Sequence, residues 1–220
     1  MAKLTWDETG KRFYETGTDR GVLYPAVSGA YPKGVAWNGL TGVDENPSGA
    51  DESKFFADNI KYLGLRAAED FGATVTAYTY PDEFAECDGS ACPTPGLYIG
   101  QQTRKMFGMS YRTKVGNDVA GDDLGYKINL IYGATASPSQ RSYKTINDSP
   151  EPIEFSWELA TTPVPVEIEN LKPAAHLTID SRTTPAEKLK ALENILYGTE
   201  EGEPRLPLPK EVYELLKATV

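Results

Sequence analysis

Apolar and polar residues alternate along much of this chain with period two, the spacing of a strand that buries one face. Ile153, Phe155, Trp157 and Leu159 point one way, and Glu154, Ser156 and Glu158 the other. Phe107, Met109, Tyr111 and Thr113 alternate with Gly108, Ser110, Arg112 and Lys114. Tyr126, Ile128, Leu130 and Tyr132 repeat the pattern between Gly125 and Gly133. The string VGNDVAGDD between these last two segments predicts a hairpin with a long tip. Residues 73–80, ATVTAYTY, predict a strand ended by Pro81, and PDEFAE suits one helical turn. GVLYPAV and GVAWNGL are short strand candidates, with Pro25 marking an edge or a bulge. FFADNIKYLGLRA mixes both periods; Asn59 and Gly64 disfavour a helix there and leave a strand.

From about residue 171 the pattern changes. HLTID is one more strand, and TTPAEKLKALENILYG then repeats at helical spacing. Thr184 is the N-cap candidate, Pro185 suits the first helical position, and Glu187 completes a capping box. Leu189, Leu192, Ile195 and Leu196 form the apolar stripe and Gly198 the stop. TEEGEPRLPLP reads as an extended linker, and KEVYELLK as a short helix through Val212, Leu215 and Leu216. The expected fold is mainly β: an antiparallel β-sandwich or barrel-like domain over residues 1–170, followed by a partly helical segment over 171–220.

Charge and cysteine usage narrow the function classes. The net charge of −10 is spread along the chain, so the basic footprint of a nucleic-acid grip is absent. No apolar run approaches the roughly 20 residues of a membrane helix, and the N-terminus lacks a secretory h-region, so synthesis in a cytoplasm is expected. Cys87 and Cys92 lie in CDGSAC. A zinc site wants four ligands, and His176 is the chain's single histidine, so two thiols beside a turn are the plainer reading. Their spacing permits a small disulfide loop, which cytoplasmic synthesis disfavours.

Catalytic chemistry finds no foothold. P-loop, dinucleotide-binding, nucleophile-elbow and zincin motifs are missing. Asp82 and Glu83 are adjacent rather than set across a cleft, and Asp118, Asp122 and Asp123 do not follow calcium-loop spacing. The NDS string at Asn147 matches a glycosylation acceptor that a cytoplasmic chain would not use. The 13 tyrosines suit core or interface positions more than base stacking, which wants a positive groove. No catalytic, cofactor-binding or metal residue is expected.

Particular strings carry further information. TDRGVLYP, GVAWNGLTGVDENPSGAD and YPDEFAECDG resemble the major tail proteins of siphovirus-type long-tailed bacteriophages. So do IGQQTRKMFGMSYRTKVGND, GYKINLIYGATASPS and TINDSPEPIEFSWELATTPVPV, which are the most specific in order and spacing. The resemblance spans nearly the whole chain. It implies a virion structural subunit that forms hexameric rings, stacked head to tail around a tape measure protein and ending at terminator and distal tail proteins. Genomic DNA would pass through the lumen without specific binding, and no membrane or enzymatic step is involved. An acidic lumen that repels phosphate is a further expectation.

Residues 55–80 are the first interface candidate, as one assembly hairpin with Ala68, Glu69 and Asp70 near its tip; an internal strand pair is the alternative. Phe55, Ile60, Tyr62, Leu65, Val75 and Tyr78 would carry the contact. The stripe of Leu189, Leu192 and Leu196 is the second candidate, with packing on its own β body as the alternative. The rival functions are a carbohydrate- or receptor-binding β-sandwich of the virion and a head–tail joining protein.

Overall fold

The computed structural model of the chain describes residues 3–146 and 148–217. The elements are β1 (Phe13–Pro25), β2 (Val35–Ala36), β3 (Leu40–Glu45), β4 (Ser48–Gly49), β5 (Glu52–Ala57), β6 (Ile60–Arg66), β7 (Glu69–Asp70) and β8 (Gly72–Ala77), then α1 (Phe84–Cys87). There follow β9 (Ala91–Thr94), β10 (Leu97–Ile99), β11 (Phe107–Asn117), β12 (Gly121–Ala136), β13 (Phe155–Thr161), β14 (His176–Asp180), α2 (Ala186–Tyr197) and α3 (Pro209–Leu216). One antiparallel sheet runs β2-β1-β11-β12-β13-β8-β3, and β14 adds to β12. The protein is mainly β and antiparallel, with its helices at the C-terminal end.

The long strand β12 changes partner along one side. Lys127–Ile131 pair with β14, and Ala134–Ala136 with β13. At the handover the ladder slips: Met109 faces Ile131, but Phe107 faces Ala134. Gly133 sits in this bulge at φ +60°, and a Cβ there would lie 2.1 Å from the Thr162 carbonyl oxygen. Glycine is therefore required by both conformation and space. The slip reverses side-chain parity, so Ile131 before it and Ala134 after it face the same core.

That core contains Leu23, Trp37, Val75, Phe84, Met109, Ile131 and Trp157, all buried. The sheet curls around it until β3 at one end approaches β1 near the other: Leu40 lies against Gly21, while the Trp37 amide, donating to the Gly21 carbonyl at 2.8 Å, extends the β1–β2 pairing. A second core lies on the opposite face. Val22, Tyr24, Ile128, Leu130, Tyr132 and Ile179 meet Leu189, Leu192 and Leu196 of α2 and Val212 of α3. Each fully buried side chain of this kind contributes about 1.5–3 kcal/mol relative to exposure. Tyr24 donates its hydroxyl hydrogen to the Leu196 carbonyl at 2.8 Å, and Tyr132 to the Pro207 carbonyl at 2.9 Å. These bonds remove the cost of burying two hydroxyls and fix the helical segment in register.

Three local expectations are corrected and a fourth is resolved. The β11–β12 ladder continues to Asn117 opposite Gly121, so the long tip shrinks to 118–120; the Asn117 side chain closes it by accepting from the amides of Val119 and Ala120. The bulges of β1 lie at Thr16–Thr18 and Asp19–Val22, where Gly17 and Arg20 take positive φ; Pro25 is the edge of the two alternatives, paired among the described residues with β11 alone beyond the short β2 ladder. No side-chain cap forms at Thr184: α2 starts at Ala186 after Pro185, and the Thr184 amide instead donates to the Asp180 carbonyl. TEEGEPRLPLP is tied down rather than free, because the Gly34 amide donates to the Pro204 carbonyl at 2.7 Å and Leu206 is buried.

A projecting hairpin as candidate assembly surface

Between β3 and β8 the chain leaves the body as an arm. Its root is the β4–β7 pair, Ser48 opposite Asp70 and Gly49 opposite Glu69, and its shaft is the β5–β6 hairpin. Asp58 and Asn59 both take positive φ, the two-residue turn whose twist matches flanking antiparallel strands. Every residue of β5 and β6 is exposed.

The register sorts the side chains. Phe55 opposes Leu63, Ser53 opposes Leu65 and Ala57 opposes Ile60, which makes one face apolar. Glu52 opposes Arg66 and Phe56 opposes Lys61; with Lys54 they make the other face largely charged, tied by a Lys61–Glu52 ion pair. Tyr62 is skipped by the ladder between these registers. On the arm, exposure reaches 48% for Phe55, 64% for Ile60, 69% for Tyr62 and 58% for Leu65. A two-stranded hairpin is marginal alone in water, and a contiguous exposed apolar face marks a contact surface.

The extent of the arm differs from expectation. The tip falls at Asp58–Asn59, and Ala68, Glu69 and Asp70 lie at or beside the root, because β8 belongs to the main sheet. Val75 opposes Trp157 and Val43 there and is fully buried, so it is core and not contact surface. Tyr78 is exposed just past β8, away from the arm. Leu189, Leu192 and Leu196 are likewise buried against the chain's own sheet, whose Ile128 and Leu130 would otherwise face water. Phe56 and Leu63 were not among the sequence candidates and join the arm; the Asp58-Asn59 turn with apolar flanks was the signal for them.

At the root sits His176, the first residue of β14. Its ring stacks on Phe71, with centroids 4.6 Å apart and planes 10° from parallel. Its Nε2 lies 3.6 Å from Glu45 Oε1, which accepts the Tyr111 hydroxyl at 2.6 Å. Burial holds the imidazole below its ordinary pKa, partly offset by Glu45, and pushes the Tyr111 hydroxyl far above its own. A groove of about 910 Å³ runs beside this cluster, lined by Ala68, Phe71, Pro163, Ala174 and His176 among others.

Below the arm, β14-β12-β11-β1 form a four-stranded panel. Among the described residues β14 is paired only with β12, and β1 over residues 13–20 only with β11. Thr18, Thr113, Lys127 and Asp180 form one row across it, and Tyr111, Asn129 and Thr178 the next. This face is mostly polar, although Phe13 and a buried Val115 share it and Tyr111 enters the first core, whereas Ile128 and Ile179 point to the helix-covered side. Its charges are matched, Lys127 with Glu15 and Arg182 with Asp180.

The remaining candidates are spent on internal contacts. Asp118 accepts from the Gly10 amide and Asp122 pairs with Lys114, and among the described residues no cluster of three or more His, Cys, Asp or Glu could hold a metal. Cys87 is buried, with its thiol pushed up to about 12 by burial, and Cys92 is exposed; both are free. A hollow of about 460 Å³ carries Tyr80, Tyr98 and Phe155, yet Arg141 lies over the Tyr80 and Phe155 rings and pairs with Asp88. Asn147 lies outside the described residues. Among the described residues no helix is long and apolar enough to cross a membrane. Neither protein-family models nor curated proteins give a match to the chain.

Proposed function

We propose that the chain is a structural subunit that polymerises with copies of itself into a tube, of the kind that forms the tail tube of long-tailed bacteriophages. The observation that carries this reading is the arm: an apolar hairpin face that a single copy leaves in water. The panel adds to it. Its outer strands carry unpaired backbone edges, and edge-to-edge joining of identical units closes a ring. Helices back one face, so the polar face turns to the lumen. On this reading the ion pairs of that face, Lys127 with Glu15 and Arg182 with Asp180, make for a lumen closer to neutral than the acidic one expected, over which DNA slides without being gripped. Hexameric rings, head-to-tail stacking and a tape measure protein in the channel complete the proposal, with the virion as the site of action.

A sugar-binding module is less favoured, because in the hollow that carries Tyr80 and Phe155 Arg141 already lies over both rings. The test is negative-stain microscopy and sedimentation of the concentrated full chain beside its Tyr62→Lys/Leu65→Lys variant. Tubes with a regular axial repeat from the parent, and none from the variant, are the expected outcome. Single rings would instead indicate a head–tail joining protein, and tubes from both proteins would remove the arm from the contact.

A further inference from the structure

We propose that His176 is an acid-sensitive latch for the projecting arm, holding both of its roots to the sheet when neutral and freeing them when protonated. The arm leaves the body after Glu45, the last residue of β3, and returns through Phe71, the residue before β8. His176 touches both: its ring lies flat on Phe71, and its Nε2 faces Glu45 at 3.6 Å. Because β14 is anchored to β12 at Ile131, the imidazole is a fixed post between the two ends of the arm.

The chemistry around the ring favours its neutral form. Only 20% of the side chain is exposed, so a proton would be carried into a poorly solvated site. Glu45 compensates weakly, since its side chain is 41% exposed and its Oε1 already takes the Tyr111 hydrogen. Thr178 contributes only a hydroxyl, 3.5 Å from Nε2. Arg66, Lys172 and Glu69 also line the groove beside the ring, and among the described residues Glu45 is the one charge that bears on the imidazole. An opened root returns the ring to water and to its ordinary affinity for protons. Linkage then sets the direction: the closed root is favoured above the ordinary imidazole value of 6.5 and loses ground as pH falls below it.

The root has its own reporters. The Asn46 amide donates to the Gly72 carbonyl at 2.8 Å, Ala50 to Ala68 at 3.2 Å and Ala67 to Asp51 at 3.2 Å. Hydrogen exchange of the dilute full chain, corrected for intrinsic rates, follows these amides between about pH 7.5 and about pH 5.5. The expected result is a severalfold rise in their exchange on acidification, with the β11–β12 amides unchanged. His176→Phe retains the stacking without the titration and is expected to be flat over the same range. As the chain has one histidine, its imidazole signal in an NMR titration assigns the proton without a variant. A root that exchanges equally at both pH values, a His176→Phe chain that still responds, or a ring that titrates at or above 6.5 overturns the latch. All three readouts concern single copies, so they stand apart from whether the chain polymerises.

Discussion

Leu192→Ala separates two roles for helix α2, core element or subunit contact. Leu192 is fully buried in the cluster that contains Tyr24, Ile128 and Leu130. Truncation removes three carbons, worth about 2.4 kcal/mol at about 0.8 kcal/mol each. The incompletely filled cavity brings the total to about 3–5 kcal/mol. In a chain of this length each kcal/mol moves the thermal midpoint by about 2–4 °C, so a fall of about 6–20 °C is expected. Dilute single copies, unfolded by heat and by urea with an unchanged m-value, provide the measurement. If Leu192→Ala leaves the midpoint of single copies within about 0.5 kcal/mol of the parent but abolishes assembly, the reasoning fails. The stripe would then be covered by a neighbour and not by its own sheet.

The arm predicts the opposite behaviour: Tyr62→Lys/Leu65→Lys should change single-copy stability by under about 0.5 kcal/mol per site while abolishing polymerisation in sedimentation runs. Gly133→Ala should cost at least about 1–3 kcal/mol in urea unfolding, since it combines positive φ with a backbone clash. Arg112 holds the Asp19 carboxyl below its ordinary 3.8 through two bonds of 2.7 Å. The stabilisation from this pair is present above that value and is lost as pH falls through the lowered one, so Asp19→Asn should flatten part of the acid limb of a stability–pH curve. Iodoacetamide should label Cys92 alone in the native chain and Cys87 only after unfolding, as mass spectrometry would report.

Alternation made the large strands legible: β11 and β14 start where Phe107 and His176 began their patterns, whereas β12 starts five residues before Tyr126, at Gly121, and β13 two residues after Ile153, at Phe155. The helical stripe of Leu189, Leu192 and Leu196 was equally plain, but its spacing does not say what covers it. Two distant strands, β1 and β12, supply that cover, and no local signal reports them. The arm was half legible. Its apolar residues stood out, while β8 was joined to it because both segments are rich in aromatic and β-branched residues. Only pairing with β3 and β13 distinguishes them. The cluster at the arm root was invisible, since Glu45, Phe71, Tyr111 and His176 come from four separate stretches of chain.

The parity reversal at Gly133 has a consequence for how the molecule comes apart. Because neighbouring residues of β1 and β12 feed opposite interiors, neither interior can be opened without stripping support from the strands that build the other. Melting should therefore be a single event, with near- and far-ultraviolet signals superimposed. A chain shortened at residue 170 should be recovered insoluble, not as a smaller stable body, with Ile128, Leu130 and Tyr132 bared along the middle of its sheet.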